Sequence, residues 1–336
     1  MNRFEWMEPA SLESAVHGLG PRARLLAGGV DLLGEMKDHI ALPERVVNLK
    51  SVSGLDAIEI GDHGLRLGAL VTLDRLAAHP QIRHRWRAIA EAASSVGTPQ
   101  IRNQGTLGGN LCQRPRCWYF RSEEHKCLKK GGDICFAVAG ENKYHAILGG
   151  GPAFYAHPSD LAPALLVLNA QVRIAGPGPR GRGLRLRTLP LAEFYRTPAQ
   201  RLVGGETLLS DQEIVTEILV PEPFGDSTYL KFRERLSHDW AMAACAAQIQ
   251  ISAGHIKRAQ LALGGVATIP WPVPAAARAL AGQPLNQATI EAAAHAAVAG
   301  AQPLRQNWYK IQLTQTLVRR AIRQAAFPEK ADFVSA

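Results

Sequence analysis

The chain contains no apolar run approaching the roughly 18 residues that a membrane-spanning helix needs. Its opening residues, MNRFEWMEPASLESAVHGLG, lack the unbroken apolar core of a secretory leader. The resulting expectation is a cytoplasmic protein with no membrane partner, unless a signal-bearing partner carries it to the periplasm. Helix-turn-helix and zinc-finger patterns are missing, and aromatic residues make up only 6% with no stacking motif. A net charge of +9 is therefore read as a solvated basic surface or a face for an acidic partner protein, with no nucleic acid expected. The G-x-G-x-x-G fingerprint of the doubly wound dinucleotide fold does not occur. Neither do repeats at solenoid or propeller periods.

What is present is ordinary in bulk. The 336 residues suggest about two domains, and 46% apolar with 20% charged residues describes a globular chain with a real core. Ser11–Leu19 carries Leu12, Ala15, Val16 and Leu19 at helical spacing. Arg24–Ala27 reads as a strand running into Gly28-Gly29-Val30, after which Asp31 is placed to N-cap a helix through Lys37. Strand, glycine turn and helix start can aim backbone N–H groups at a phosphate, although an ordinary tight turn is the simpler reading of this block alone. Further strands are expected at Arg45–Leu49 and in a hairpin around Gly61-Asp62-His63-Gly64, with helices after Thr72 and over Ile82–Ser95.

Beyond Asp160–Leu168, an apolar run, strands are expected at Gln171–Ala175 and Glu213–Pro221, with a loop at Gly176–Pro179. Pro221-Glu222-Pro223 followed by Gly225 marks the expected boundary between domains at 1–222 and 226–328. The second domain reads as strands at Thr228–Arg235, Ala241–Ile251 and Arg258–Leu263, backed by helices at Ala275–Ala281, Ile290–Ala299 and Asn307–Ala325. Short strands among helices give an α+β class.

Chemistry concentrates in Gln104–Asp160. Cys112, Cys117, Cys127 and Cys135 stand at C-x4-C-x9-C-x7-C, inside an insert at about 112–156. A structural zinc site usually presents paired C-x2-4-C arms, which are missing, and disulfides need an oxidising compartment. An iron–sulfur cluster tolerates irregular spacing, and unliganded thiols are the plain alternative. The spacing leaves these readings open. Cys245, in a run of small residues, reads as a buried small hydrophobe. Thr106-Leu107-Gly108-Gly109-Asn110 is a second Gly-Gly turn. Ser159 and Asp160 follow His157-Pro158, where the carboxylate can meet a sugar hydroxyl or simply cap the next helix.

LLAGGVDLL at 25–33, TLGGNL at 106–111 and HPSDLAPAL at 157–165 resemble the FAD-binding medium subunit of the molybdenum hydroxylases, the family of xanthine and carbon monoxide dehydrogenases. The insert CQRPRCWYFR…CLKKGGDIC is similar to the branch with an extra [4Fe-4S] cluster, as in 4-hydroxybenzoyl-CoA reductase and bacterial aldehyde oxidoreductases. The resemblance implies a two-part FAD-binding domain of the vanillyl-alcohol-oxidase type and a small C-terminal domain of antiparallel sheet plus helices. It implies FAD contacts from Leu25, Leu26, Ala27, Gly28, Gly29, Val30, Asp31 and Leu32, and from Thr106, Gly108, Gly109 and Asn110. Ser159 and Asp160 are implied with them, as are Val96, Val215 and Lys231, the last also readable as a solvated strand residue. Cys117, Cys127 and Cys135 match three cluster ligands of that branch; its fourth falls near Tyr144 or Ala153, neither of them a cysteine. Cys112 is the expected replacement, with His145 the poorer one.

The implied activity is that of an oxidoreductase subunit without a catalytic residue of its own for substrate. It would take electrons from [2Fe-2S] clusters of a small subunit and pass them through FAD to an external acceptor. Substrate (an aldehyde, aromatic or N-heterocycle) would react at a molybdopterin-binding large subunit. Two rivals are a self-sufficient FAD oxidoreductase of the vanillyl-alcohol-oxidase type and a zinc-stapled basic binding module.

Overall fold

A computed structural model describes residues 1–327. Three sheets organise it, each backed by helices. The first is parallel, with β1 (Glu5–Met7), β2 (Ala23–Leu26) and β3 (Arg45–Asn48) in the order β1-β3-β2. The helix Leu12–Gly18 makes the β1-to-β2 crossover; Ser11 caps it reciprocally with Ser14, and Ala15 and Val16 are buried against the sheet. The Gly-Gly turn leaves the carboxyl end of β2, the end at which ligands of parallel sheets bind.

The second sheet is antiparallel and holds β4 (Ile58–Gly61), β5 (Gly64–Gly68), β6 (Gln171–Pro177), β7 (Leu184–Pro190) and β8 (Ile214–Val220) in the order β4-β5-β8-β6-β7. It shares the largest core with the helices between residues 73 and 94 and with Leu161–Val167. The third sheet contains β9 (Asp226–Phe232), β10 (Ala243–Ser252), β11 (His255–Gly264) and β12 (Trp271–Pro272), antiparallel and backed by Pro274–Leu280, Gln287–Ala297 and Tyr309–Ala326. Cys245 is fully buried on β10, opposite Leu263 and Leu230, as a small hydrophobe.

The mixed helix-and-sheet class agrees with the sequence reading, and most differences are local. The expected Ile82–Ser95 helix breaks at Trp86, which leaves helical geometry (φ −120°, ψ 50°) so that its indole N–H reaches the Pro221 carbonyl at 3.0 Å. Residues 176–179 are partly strand, because β6 continues to Pro177 and pairs with β7. β7 itself was not foreseen, since its alternating arginines and leucines lie at a solvent-facing edge. Residue 328, the expected end of the second domain, lies outside the described residues. No helix among the described residues is long and apolar enough to cross a membrane.

Candidate flavin site and cysteine pocket

A cleft of about 320 Å³ opens where the parallel sheet meets the second sheet. Leu25, Ala27, Gly28, Gly29, Val30, Asp31 and Leu32 form one wall, and Thr106, Gly108, Gly109 and Asn110 the facing one. Val96 and Val215 also line it, both nearly buried. The walls come very close: a Cβ on Gly28 would overlap the Gln104 carbonyl oxygen, and Gly29 sits at φ +75°, in the left-handed region. A backbone without side chains at this turn leaves room only for a ligand's narrow part, which suits a pyrophosphate.

The second glycine block is not a turn. Leu107–Cys112 is a short helix whose N-cap, Thr106, accepts the Gly109 N–H through Oγ1 at 3.2 Å. Gly108 is required because a Cβ there would stand 2.9 Å from the Ala69 Cβ. Two carboxylates expected as helix caps do other work. Asp31 makes no capping bond; it pairs with Arg116 at 2.9 Å and Arg121 at 2.7 Å and accepts the Arg114 backbone N–H. Asp160 likewise caps nothing: it accepts from Lys231 Nζ at 2.7 Å and from the Tyr229 hydroxyl at 2.5 Å.

Leu26, Ser159, Asp160 and Lys231 are not in the cleft wall. Leu26 is buried beneath the sheet. Ser159 donates to Asn110 Oδ1 at 2.6 Å and so orients a lining residue from behind. Lys231 is not solvated: its side chain is 3% exposed and its ammonium also reaches the Ser95 carbonyl, beside Val96. Sequence reasoning missed Glu35, Leu209, Arg114, Arg116 and Trp240, which line the cleft from distant segments without a shared motif. Burial raises the Glu35 carboxyl pKa, against the pull of Arg114 and Arg121.

The cysteines divide. Cys117, Cys127 and Cys135 line one small pocket together with Phe136, Ala153 and Tyr155. Cys112 is elsewhere: at the end of its short helix it packs on the main core and faces the flavin cleft, its thiol pushed up to about 12 by burial. His145 is the side chain beside the pocket, its Nε2 3.2 Å from Cys117 Sγ. The Cys117 thiol is pushed up to about 11, chiefly by burial. All five cysteines are free, and among the described residues no three metal-binding side chains converge closely enough to hold a single ion. A zinc staple therefore has no preformed site.

The arginines and Lys129 of this segment face inward, against the expectation of a solvated surface, while Lys126 stays exposed. Glu206, 2% exposed, pairs with Arg114 at 2.9 Å and Lys129 at 3.0 Å, and the Lys129 side chain is 3% exposed. Acidic residues from other segments reach them, which no local reading could reveal.

Residues 2–223 match the family described as the FAD binding domain in molybdopterin dehydrogenase, and residues 227–325 the CO dehydrogenase flavoprotein C-terminal domain. The chain belongs to the FAD-binding medium subunits of the molybdenum hydroxylase family. It is 36% identical to the aldehyde oxidoreductase FAD-binding subunit PaoB of Escherichia coli K12, over 91% of this chain and 92% of that one. It is 29% identical to the carbon monoxide dehydrogenase medium chain of Hydrogenophaga pseudoflava, over 96% and 97%. A solved structure of the carbon monoxide dehydrogenase from that organism superimposes with a TM-score of 0.74 at 28% identity, covering 97% of this chain and 98% of that one. Membership makes the chain an oxidoreductase flavoprotein subunit, and the cleft fits the cofactor for which the family is named: two glycine-bared walls in close approach, lined by both backbone amides and apolar side chains.

Proposed function

We propose that the chain is the electron-transfer subunit of a three-subunit molybdenum hydroxylase. It would receive electrons from a [2Fe-2S] small subunit, after a molybdopterin-binding large subunit has oxidised an aldehyde, aromatic or N-heterocyclic substrate. The observation that carries this reading is the cleft between Gly28–Gly29 and Thr106–Asn110, on a chain matching flavin subunits over nearly its whole length. FAD, when bound, supplies a carrier that exchanges electrons singly or in pairs, as a junction between clusters and a final acceptor requires.

The chain's own residues do the rest. The amides around Gly28 and Gly29 would hold the pyrophosphate, and Asn110, held by Ser159, would orient the flavin side. Val96 and Val215 would exclude water from their part of the cleft. Lys231 and Asp160 neutralise each other outside the cleft lining, so neither buried ion is left uncompensated. The protein would divide near 222–226, with the flavin contacts drawn mainly from the first part.

The reading extends to the cysteine segment. Cys117, Cys127 and Cys135 would hold three corners of a [4Fe-4S] cluster, with His145 the candidate at the fourth in place of Cys112. The test is the cofactor content of the anaerobically purified complex. One FAD per chain with about four iron and four sulfide beyond the small subunit's share supports the whole reading. FAD without that iron keeps the flavin role and reduces the cysteine segment to a docking loop. A complex without flavin, or turnover of substrate by the isolated chain, rejects the reading.

A further inference from the structure

The second sheet has two edges, and they are finished differently. β4 is short, and its acid, Glu59, is neutralised by Arg66 of its neighbour β5. β7 is seven residues long and pairs with β6 along its whole length, and among the described residues no strand pairs with its outer side. An edge of that kind presents a row of unpaired N–H and C=O groups, a template for one more strand. Residues 171–192 around it hold five arginines and no acidic residue.

Successive side chains of a strand point to opposite faces of its sheet. Arg185 and Arg187 of β7 therefore share one face. Arg187 bonds both carboxylate oxygens of Glu213 at 2.9 Å, which leaves Arg185, 3.9 Å from the same group and 64% exposed, poorly compensated. Arg180 and Arg182, in the loop that enters β7, are exposed, and among the described residues neither has an acidic partner. That loop is closed by the Gly178 N–H, which donates to the Gly183 carbonyl at 3.0 Å. Leu184 and Leu186 occupy the other face. Leu186 is 58% exposed and lines a groove of about 180 Å³ with Leu12, Leu55, Arg66, Arg173 and Glu217. Glu217 pairs with both of these arginines, so what the groove offers a ligand is leucine.

Charge on an edge strand commonly keeps copies of a protein apart, and two β7 edges would set arginine against arginine. That disfavours a second copy as the occupant. It does not account for an exposed leucine between the arginines beside an apolar groove. We propose that β7 is a docking edge for a partner protein, which adds an extended segment alternating acidic with apolar residues. The segment's backbone bonds the free edge, its acids meet Arg182 and Arg185, and its apolar side chains lie on Leu186 and in the groove. A nucleic acid or a lipid surface would use the arginines but neither the edge nor the groove. The proposal is independent of the electron-transfer reading.

The test uses the full chain and a fluorescein-labelled peptide of alternating glutamate and valine, long enough to span β7. Binding is followed by anisotropy and by amide hydrogen exchange. A control peptide keeps the glutamates and replaces the valines with prolines, which cannot pair with an edge. The first peptide should bind with a Kd below about 100 μM and slow exchange over residues 184–190, and the control should bind at least about tenfold more weakly. Arg182→Glu combined with Arg185→Glu should weaken binding about tenfold, and Leu186→Gln about threefold. All three side chains are exposed, so these variants should fold normally. Failure to bind in that range, equal binding of the proline peptide, or binding without slowed exchange over 184–190 overturns the proposal. Tighter binding of a single-stranded oligonucleotide or an anionic vesicle through the same arginines also overturns it. So does exchange over 184–190 that slows with chain concentration alone, which would make a second copy the occupant.

Discussion

The flavin cleft and the cysteine segment share a boundary but are built from opposite materials. The cleft is backbone laid over hydrophobic cores, with Leu73, Val96, Leu107 and Leu111 buried around it. Between residues 113 and 145 the buried apolar side chains are Pro115, Phe120, Cys127 and Ala137, and no strand forms. Ion pairs and hydrogen bonds hold this segment instead: Asp31 with Arg116 and Arg121, Glu206 with Arg114 and Lys129, and Asn142 with Gln306. A cleft backed by packed cores can stand ready before its cofactor arrives. A segment without a core depends on directional polar contacts.

The largest effect is expected where backbone meets backbone. Gly28→Val places a side chain on the Gln104 carbonyl and should abolish flavin retention, read as flavin absorbance per chain. Normal flavin content in that variant would break the account of the cleft. Next comes Glu206→Gln, which strands Arg114 and Lys129 without their buried counter-ion. A loss of about 3–5 kcal/mol in denaturant unfolding is expected, with proteolysis concentrating between residues 122 and 134.

A smaller effect follows from pH. Burial holds His145 down to about 4, with a contribution from Lys310, and His157 down to about 3. Below the ordinary value of 6.5 the unfolded chain binds protons that the folded chain refuses, so stability is lost as pH falls through this window. The slope is up to about 1.4 kcal/mol per pH unit for each histidine, and His157→Phe should flatten its share. Burial also holds Lys310 down to about 7 from 10.5; its ammonium is bonded to the carbonyls of Tyr144 and Gly265. Its contribution has the same sign, with stability rising from about pH 7 to 10.5, and Lys310→Met should remove that rise. The smallest effect belongs to Cys112→Ser, within about 1 kcal/mol and without change in iron, whereas Cys127→Ser should empty the pocket of iron. Equal iron loss from both variants would return Cys112 to the ligand set.

Much of the fold was legible because local chemistry announced it. Ser11 with Ser14, the glycine pair ending β2 and the proline pair after β8 each act within a few residues. Trp86 was not legible, because the acceptor that pulls it out of the helix lies on Pro221. The cleft's glycines were read as two Gly-Gly turns, of which one is a turn and the other the first turn of a helix. Asp31, Asp160 and Lys231 were singled out, but their partners come from other elements. The inward turn of Arg114, Arg116, Arg121 and Lys129 was not legible for the same reason.

By itself the sequence determined the helix starts, the glycine positions where no side chain fits, the family resemblance and the grouping of three cysteines in one insert. Those depend on residue type and short-range spacing, which the chain carries along its length. Tertiary structure alone decided that Cys112 faces the flavin cleft while His145 stands beside Cys117, and that the insert's arginines turn inward. Each of these results from segments far apart in sequence meeting in space, where burial and charge pairing set the orientation of a side chain.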